Sequence, residues 1–451
     1  MKHTQRFSGK LGYVLATVGS AVGLGNIWRF PYLAAKYGGG AFLLVYILLA
    51  ATFGYTMIMS ETALGRLTGK SPVGAFAACS KKKTVRAGGW LNAIIPMLIV
   101  PYYSVIGGWV VHYLLGYLQG NGAAMADGAY FGSFLAGPLR LELCFLIFGL
   151  MTMLVIFGGV RNGVERVSKI MMPILVVLSI VIAVFSITRP GAMEGVRYLL
   201  VPDFDNFSLM TVVAALGQMF YSLSIAMGIL ITFGSYTGRD VDIESTTVQV
   251  ELFDTLIAIM AGLMVIPAVF AFSGGDPSAL SKGPSLMFET LPKVFASMGG
   301  DWIGVLFFLL VLFAALTSSV SLAESAVATF EEELGWSRTR SALLMSGILA
   351  VLGTLSCLGF NLLSGVTPLG MDLLSFFDFL TNSVMMPLAA AATCLLILFV
   401  IGQDKIEEEI TVSSKFRRRK LWRVMIRYFA LVLLGVILIS SLAEAFGWIK
   451  I

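Results

Sequence analysis

A chain of 451 residues that is 57% hydrophobic and only 13% charged, with a mean hydropathy of +0.88, lies outside the range of soluble globular domains and implies a protein solvated by lipid. Its net charge of +5 invites a nucleic-acid reading, but the cations flank apolar stretches and no nucleic-acid motif appears, so they read as membrane-surface anchors. Only His3 and His112 are present, which excludes HExxH zinc chemistry, and neither a nucleophile with its base nor a metal cluster is visible for an intramembrane enzyme.

The polar stretch Met1 to Lys10 is followed by no small-residue cleavage site, so the first apolar segment is expected to remain in the mature protein. Stretches able to cross a hydrocarbon core of ~30 Å as helices fall at 11–35, 41–65, 88–118, 141–160, 168–188, 209–236, 243–272, 302–328, 341–356, 370–401 and 421–443, eleven in all. A cytoplasmic N-terminus with alternation from there puts about 23 of the 31 Lys and Arg residues inside. The decisive clusters are Arg66 to Arg86, with Lys81, Lys82 and Lys83, and the run Arg417, Arg418, Arg419, Lys420. An odd span count then leaves the C-terminus outside, as expected of a multi-pass protein of the cell membrane. Between spans two and three, Gly65-Arg66-Leu67-Thr68-Gly69-Lys70-Ser71 resembles a phosphate-binding loop, but it is one residue short and follows no strand, so it reads as a plain loop. Cys79, Cys144, Cys357 and Cys394 lack metal or redox spacing and read as packing residues.

Spans one and six carry small and polar residues at mid-membrane, where a lipid-facing helix would have continuous aliphatics. Span one reads Gly19-Ser20-Ala21-Val22-Gly23-Leu24-Gly25-Asn26; span six reads Ser222-Leu223-Ser224-Ile225-Ala226-Met227-Gly228. Close helix packing explains either run alone. Two such runs five spans apart predict discontinuous helices in an inverted repeat, because a repeat of odd length flips the second half across the membrane. Unwound backbone frees carbonyl oxygens for a cation, and the exposed N-terminus of a half-helix offers amides to a carboxylate. Asp254 in span seven is a carboxylate inside an apolar segment with no Lys or Arg near it in that span, which marks an ion path ahead of a paired structural acid.

The string Gly19 to Tyr32, GSAVGLGNIWRFPY, followed by Gly38-Gly39-Gly40-Ala41-Phe42, resembles the first-helix signature of the neurotransmitter:sodium symporter family. Supporting matches are Gln218 to Tyr236, Leu316-Thr317-Ser318-Ser319, and Glu331-Glu332-Glu333-Leu334, and eleven helices is similar to many bacterial members. The resemblance implies an all-α membrane protein with a 5+5 inverted repeat and discontinuous helices 1 and 6. Residues 1–188 would hold the first repeat, 189–402 the second, and 403–451 a basic loop and the eleventh helix. It further implies a symporter that couples small neutral or hydrophobic amino acids to two sodium ions. One ion would be held by Ala21, Asn26, Ser222 and Asp254 with the substrate's carboxylate, the other by Gly19, Val22, Ala314, Thr317 and Ser318.

By the same resemblance the substrate site comprises Ala21, Gly23, Gly25, Ile99, Tyr103, Tyr221, Ser222, Ser224, Ala226, Met227, Ser319 and Leu322. Gly23 stands where monoamine carriers have an aspartate, which leaves room for a substrate carboxylate, and Tyr103 would donate its hydroxyl to that group. Ala226 stands where broad-pocket relatives have Gly, so its methyl is expected to narrow the site, whereas Met227 offers an adaptable wall. Chloride-dependent relatives carry Asn and, four residues later, Ser where this chain has Asp254 and Ala258, which implies chloride-independent transport even with Tyr46 and Gln218 retained. Arg29 with Asp378 would close the outside above Tyr103 and Tyr221. Ser235, Tyr236 and Glu332 match inner-gate positions; the usual inner-gate arginine and tryptophan align with Thr4 and Phe7, which leaves Arg6 or Lys2 as substitute cations. Glu61 resembles a carboxylate that caps a helix break. A sensor or channel on the same scaffold stays open beside the transporter. The partners expected are amino acid, sodium and the lipid bilayer, with no nucleic acid; oligomeric state is not legible.

Overall fold

The computed structural model describes residues 6–205, 207–276, 279–280 and 285–448; the candidate positions Lys2 and Thr4 fall outside them. Among these residues the chain is helical, with a single isolated bridge, Gly39 to Pro202, and no strand. Nine continuous helices are long and apolar enough to cross a membrane. A tenth crossing is a bent pair, α1 (Lys10–Ala21) and α2 (Gly25–Lys36), whose axes differ by 52°. The continuous spans are α3 (Gly40–Thr68), α4 (Lys83–Leu118), α5 (Pro138–Phe157), α6 (Val160–Ile187), α9 (Ile243–Ser273), α10 (Asp301–Glu333), α11 (Arg338–Leu358), α12 (Leu373–Ile401) and α13 (Arg419–Ala445). A second interrupted segment, α7 (Leu209–Ser222) and α8 (Ile229–Ser235), lies between α6 and α9.

Both interruptions follow from local chemistry. At the end of α1, Val22 turns to an extended conformation (φ −74°, ψ 100°) and the helix restarts only at Gly25. Between α7 and α8 the chain takes three left-handed residues, Ser224 (φ 54°), Ala226 (φ 60°) and Gly228 (φ 70°). Two of these are not glycine and each costs about 1 kcal/mol, so the surroundings must hold them. Glu61 of α3 accepts the Ala226 N–H at 2.9 Å, and the Ser224 hydroxyl donates to the Ser20 carbonyl at 2.9 Å. The Ser20 hydroxyl donates back to Ser224 Oγ at 3.0 Å, tying one break to the other.

The broken segments sit at the centre, with α4 and α10 largely buried beside them and α11 and α13 at the lipid-facing rim. Small residues allow the closest approaches, as lipid-embedded helices require. A Cβ on Gly65 of α3 would lie 1.9 Å from the Ile231 carbonyl oxygen of α8, and one on Gly234 of α8 would lie 2.3 Å from the Thr62 carbonyl oxygen of α3. Gly65→Ala is therefore expected to push α8 off α3 and destabilise the fold by about 3 kcal/mol, read as a lower melting temperature of the detergent-solubilised protein.

On the side of the basic clusters, Arg66 at the end of α3 pairs with Glu409 at 2.7 Å and donates to the Val241 carbonyl at 2.8 Å and to Ser413 at 2.9 Å. Glu244 at the start of α9 accepts the backbone N–H groups of Arg417 and Arg418 at 2.8 and 3.0 Å and the Tyr55 hydroxyl at 3.1 Å. The segment that leads into α13 is thus fastened to α3 and α9.

Candidate substrate and cation site

Asp254 of α9 is fully buried and meets the first break. Its Oδ1 accepts from Asn26 Nδ2 and from the Ser222 hydroxyl, each at 2.8 Å, and its Oδ2 accepts from the Tyr46 hydroxyl at 2.7 Å. The Asn26 side-chain oxygen in turn accepts the Gly23 N–H at 3.2 Å. Among the described residues Asp254 has no lysine or arginine partner, so its charge is met only by neutral donors. A buried carboxylate so placed calls for a cation from outside the chain. Gln218 donates to the Gly25 carbonyl at 3.0 Å and so braces the start of α2 instead of reaching Asp254.

A second oxygen-rich point lies where α1 ends against α10. The Ser318 hydroxyl lies 3.3, 3.2 and 3.2 Å from the carbonyl oxygens of Gly19, Ser20 and Val22. A hydroxyl donates one hydrogen and can serve only one of these at a time. The Thr317 hydroxyl likewise lies 2.9 and 3.2 Å from the Phe313 and Ala314 carbonyl oxygens, and a Cβ on Gly19 would stand 3.2 Å from Thr317 Cβ. Neutral oxygens from two helices therefore converge, the donor set that hard monovalent cations take up.

Between these points a cavity of about 30 Å³ is lined by Ala21, Gly23, Gly25, Asn26, Ile99, Tyr103, Tyr221, Ser222, Ser224, Met227, Ser318 and Leu322, together with Ser20, Leu24 and Ile229. No lysine, arginine or acid lines it. The Tyr103 hydroxyl accepts the Leu24 N–H at 3.3 Å and also meets the Ser318 hydroxyl. Tyr103 and Tyr221 also line a second cavity, a vestibule of about 320 Å³, so their two rings stand between it and the smaller cavity.

Two residues expected in the lining are elsewhere. Ser319 turns to Thr152 of α5 at 3.1 Å, because successive helical positions point about 100° apart and Ser318 takes the cavity side. Ala226 is fully buried, its N–H is on Glu61, and it is not among the residues that line the cavity. Arg29 and Asp378 both line the vestibule, but no ion pair joins them: the Arg29 guanidinium sits 5.5 Å over the Tyr221 ring, and Asp378 accepts from Asn382 at 2.5 Å.

On the opposite side the expected grouping divides. Glu332 accepts the Ser71 N–H at 2.7 Å and faces Lys70 at 3.8 Å. Ser235 bonds back to the Thr232 carbonyl at 2.6 Å. Tyr236 donates to Glu324 of α10 at 2.9 Å, and Glu324 pairs with Arg338 of α11 at 2.5 Å. Phe7 packs edge-on against Tyr13, Phe233 and Tyr236, with Ser8 bonded through its N–H to Glu165 at 2.8 Å. Arg6 lines a cavity of about 210 Å³ together with Phe7, Ser8, Tyr13 and Asp240, at the edge of this cluster. Sequence reasoning missed Glu324 and Arg338, although Glu324 is an acid within an apolar segment, the same signal that singled out Asp254.

The profile of the sodium:neurotransmitter symporter family matches residues 4–124 and 133–447. The chain is 34% identical to the sodium-dependent transporter YhdH of Bacillus subtilis, over 91% of each chain. It is 31% identical to a sodium-dependent transporter of Haemophilus influenzae, over 98% of this chain and 99% of that one. Among solved structures, MhsT in complex with L-phenylalanine aligns over 97% of this chain and 99% of its own, with 36% identity and a TM-score of 0.87. The broken helices and the buried acid thus stand in a chain that belongs to the sodium:neurotransmitter symporter family, whose members are membrane transporters and not enzymes.

Proposed function

We propose that the protein carries neutral amino acids into the cell with sodium and without a requirement for chloride. The observation that carries this reading is Asp254, a fully buried carboxylate bound by Asn26, Ser222 and Tyr46 with no cationic partner among the described residues. In this reading Asp254, Asn26, Ser222 and the Ala21 carbonyl hold the first sodium together with the substrate's carboxylate. Gly19, Val22, Ala314, Thr317 and Ser318 hold the second. The shared carboxylate links substrate binding to the cation. Chloride independence is supported by the same bonds: the Asp254 carboxylate takes the Tyr46 and Ser222 hydroxyls, so the fixed charge stands where a mobile anion would be needed beside a neutral residue.

A neutral substrate is supported by the lining, in which Ile99, Met227, Ile229 and Leu322 supply apolar surface and no charged group can recognise a charged side chain. The phenylalanine bound to the aligned relative fits that chemistry. The reading includes a 5+5 inverted repeat, a cytoplasmic N-terminus in the cell membrane, and alternating access around the breaks. On the outer side Arg29, Asp378 and the two tyrosines close the route; on the inner side Tyr236, Glu324 and Arg338 do so.

The test is uptake of labelled amino acids into proteoliposomes with an imposed inward sodium gradient. Accumulation above the external concentration is expected for neutral amino acids, with equal initial rates in chloride and gluconate. Equilibration without accumulation would instead favour a channel or sensor, and a strong chloride requirement would defeat the anion-free mechanism.

A further inference from the structure

The rim of the bundle carries a cleft that shares no residue with the cavity at the helix breaks. It lies between the end of α12 and the start of α13, encloses about 480 Å³, and is lined by Leu398, Phe399, Asp404, Arg423, Arg427 and Tyr428 among others. Arg423 and Arg427 are four residues apart, one turn and ~6 Å along α13. Their surroundings differ. Arg423 binds Asp404 at 2.6 Å and Glu407 at 2.7 Å, and Arg419 shares Glu407 at 2.6 Å. Arg427 is exposed and, among the described residues, has no carboxylate partner; its guanidinium only overlies the Tyr428 ring at 5.5 Å.

Arg427 also belongs to a surface that faces lipid. Phe399 is 78% exposed, Tyr428 60% and Val432 62%, so the cation sits at the edge of an apolar belt where its own chain offers no counter-charge. An arginine in that position extends toward the headgroup layer and takes an anion from it. We propose that this cleft binds an anionic glycerophospholipid of the cytoplasmic leaflet, its phosphate held by Arg427 and Arg423 and an acyl chain lying on Phe399 and Leu398. Charge selects the headgroup. Arg419, Arg423 and Arg427 stand against two carboxylates, Asp404 and Glu407, and both of these are engaged by Arg419 and Arg423, so the charge left over is that of Arg427; the ammonium of a zwitterionic headgroup would meet net positive charge there whereas a glycerol headgroup would not. The assignment rests on the cytoplasmic placement of the basic run before α13 and is independent of which solute is carried.

Native mass spectrometry of the detergent-solubilised full chain, with equal additions of phosphatidylglycerol, phosphatidylethanolamine or phosphatidylcholine, tests it. About fivefold more phosphatidylglycerol than either zwitterionic lipid is expected to stay bound. Arg427→Gln should remove that preference while sodium-driven uptake in phosphatidylcholine vesicles stays at the parent rate, which shows the variant folded. Equal retention of the three lipids, or an unchanged preference in Arg427→Gln, would overturn the proposal. So would competition by glycerol phosphate at the same concentration, since that would mark a soluble phosphate as the occupant.

Discussion

Asp254→Ala is expected to lower sodium-driven uptake at least ~100-fold. The substitution removes the one formal negative charge at the first break and leaves Asn26, Tyr46 and Ser222 without their common acceptor. Losing one partner of a buried charged set costs about 3 to 5 kcal/mol, and each 1.4 kcal/mol is a factor of about ten in affinity. Asp254→Asn separates charge from shape. It keeps a side chain of the same size but is neutral, so the sodium concentration for half-maximal uptake should rise more than ~10-fold. The double change Asp254→Asn with Ala258→Ser should make uptake respond to chloride, because Tyr46 and Ser222 are then released from a fixed anion. Initial rates measured across sodium and chloride titrations decide the matter. An unchanged sodium response in Asp254→Asn would remove Asp254 from the coupling mechanism.

Gly25→Ala is the second large effect. A Cβ there would stand 2.6 Å from Tyr221 Cε1 and 2.8 Å from Cδ1, so the ring must swing from its place over the cavity. Tyr221 is half-buried and also carries Arg29 over its face, so both the lid and the charge above it shift together. The collision falls on a movable ring beside two cavities, so the fold should absorb it with little change in melting temperature. Substrate affinity should fall ~30-fold or more, since this cavity holds only about 30 Å³ and one displaced ring changes its whole outline. Equilibrium binding of the best labelled substrate, beside a melting curve, distinguishes the two effects. Parent-like affinity would show that the lid does not bear on the site.

The helix breaks were readable in the chain because lipid tolerates small polar residues at mid-span only where backbone is enclosed. Asp254 was readable for the same reason. What failed depended on angle or on distant partners. Ser318 and Ser319 are neighbours in sequence, yet one meets the carbonyls of α1 and the other meets Thr152, a choice set by how α10 is rotated against α5. Ala226 stands in the motif but its left-handed backbone directs its N–H to Glu61. The inner cluster was hidden more deeply, because Tyr236, Glu324 and Arg338 come from three separate segments and the positions aligned with known gate residues, Thr4 and Phe7, carry no charge. Glu332 looked eligible by alignment; only the fold shows its carboxylate spent on Ser71.

The buckle formed by Arg66, Glu409 and Glu244 gives the final helix a mechanical identity. It clamps the approach to α13 onto α3 and α9, so the near end of that helix is an outrigger lashed to the hull and not a loose tether. A tilt of α3 against α9 would therefore load these bonds, and the segment before α13 either follows α3 or gives up its contacts with Arg66 and Glu244.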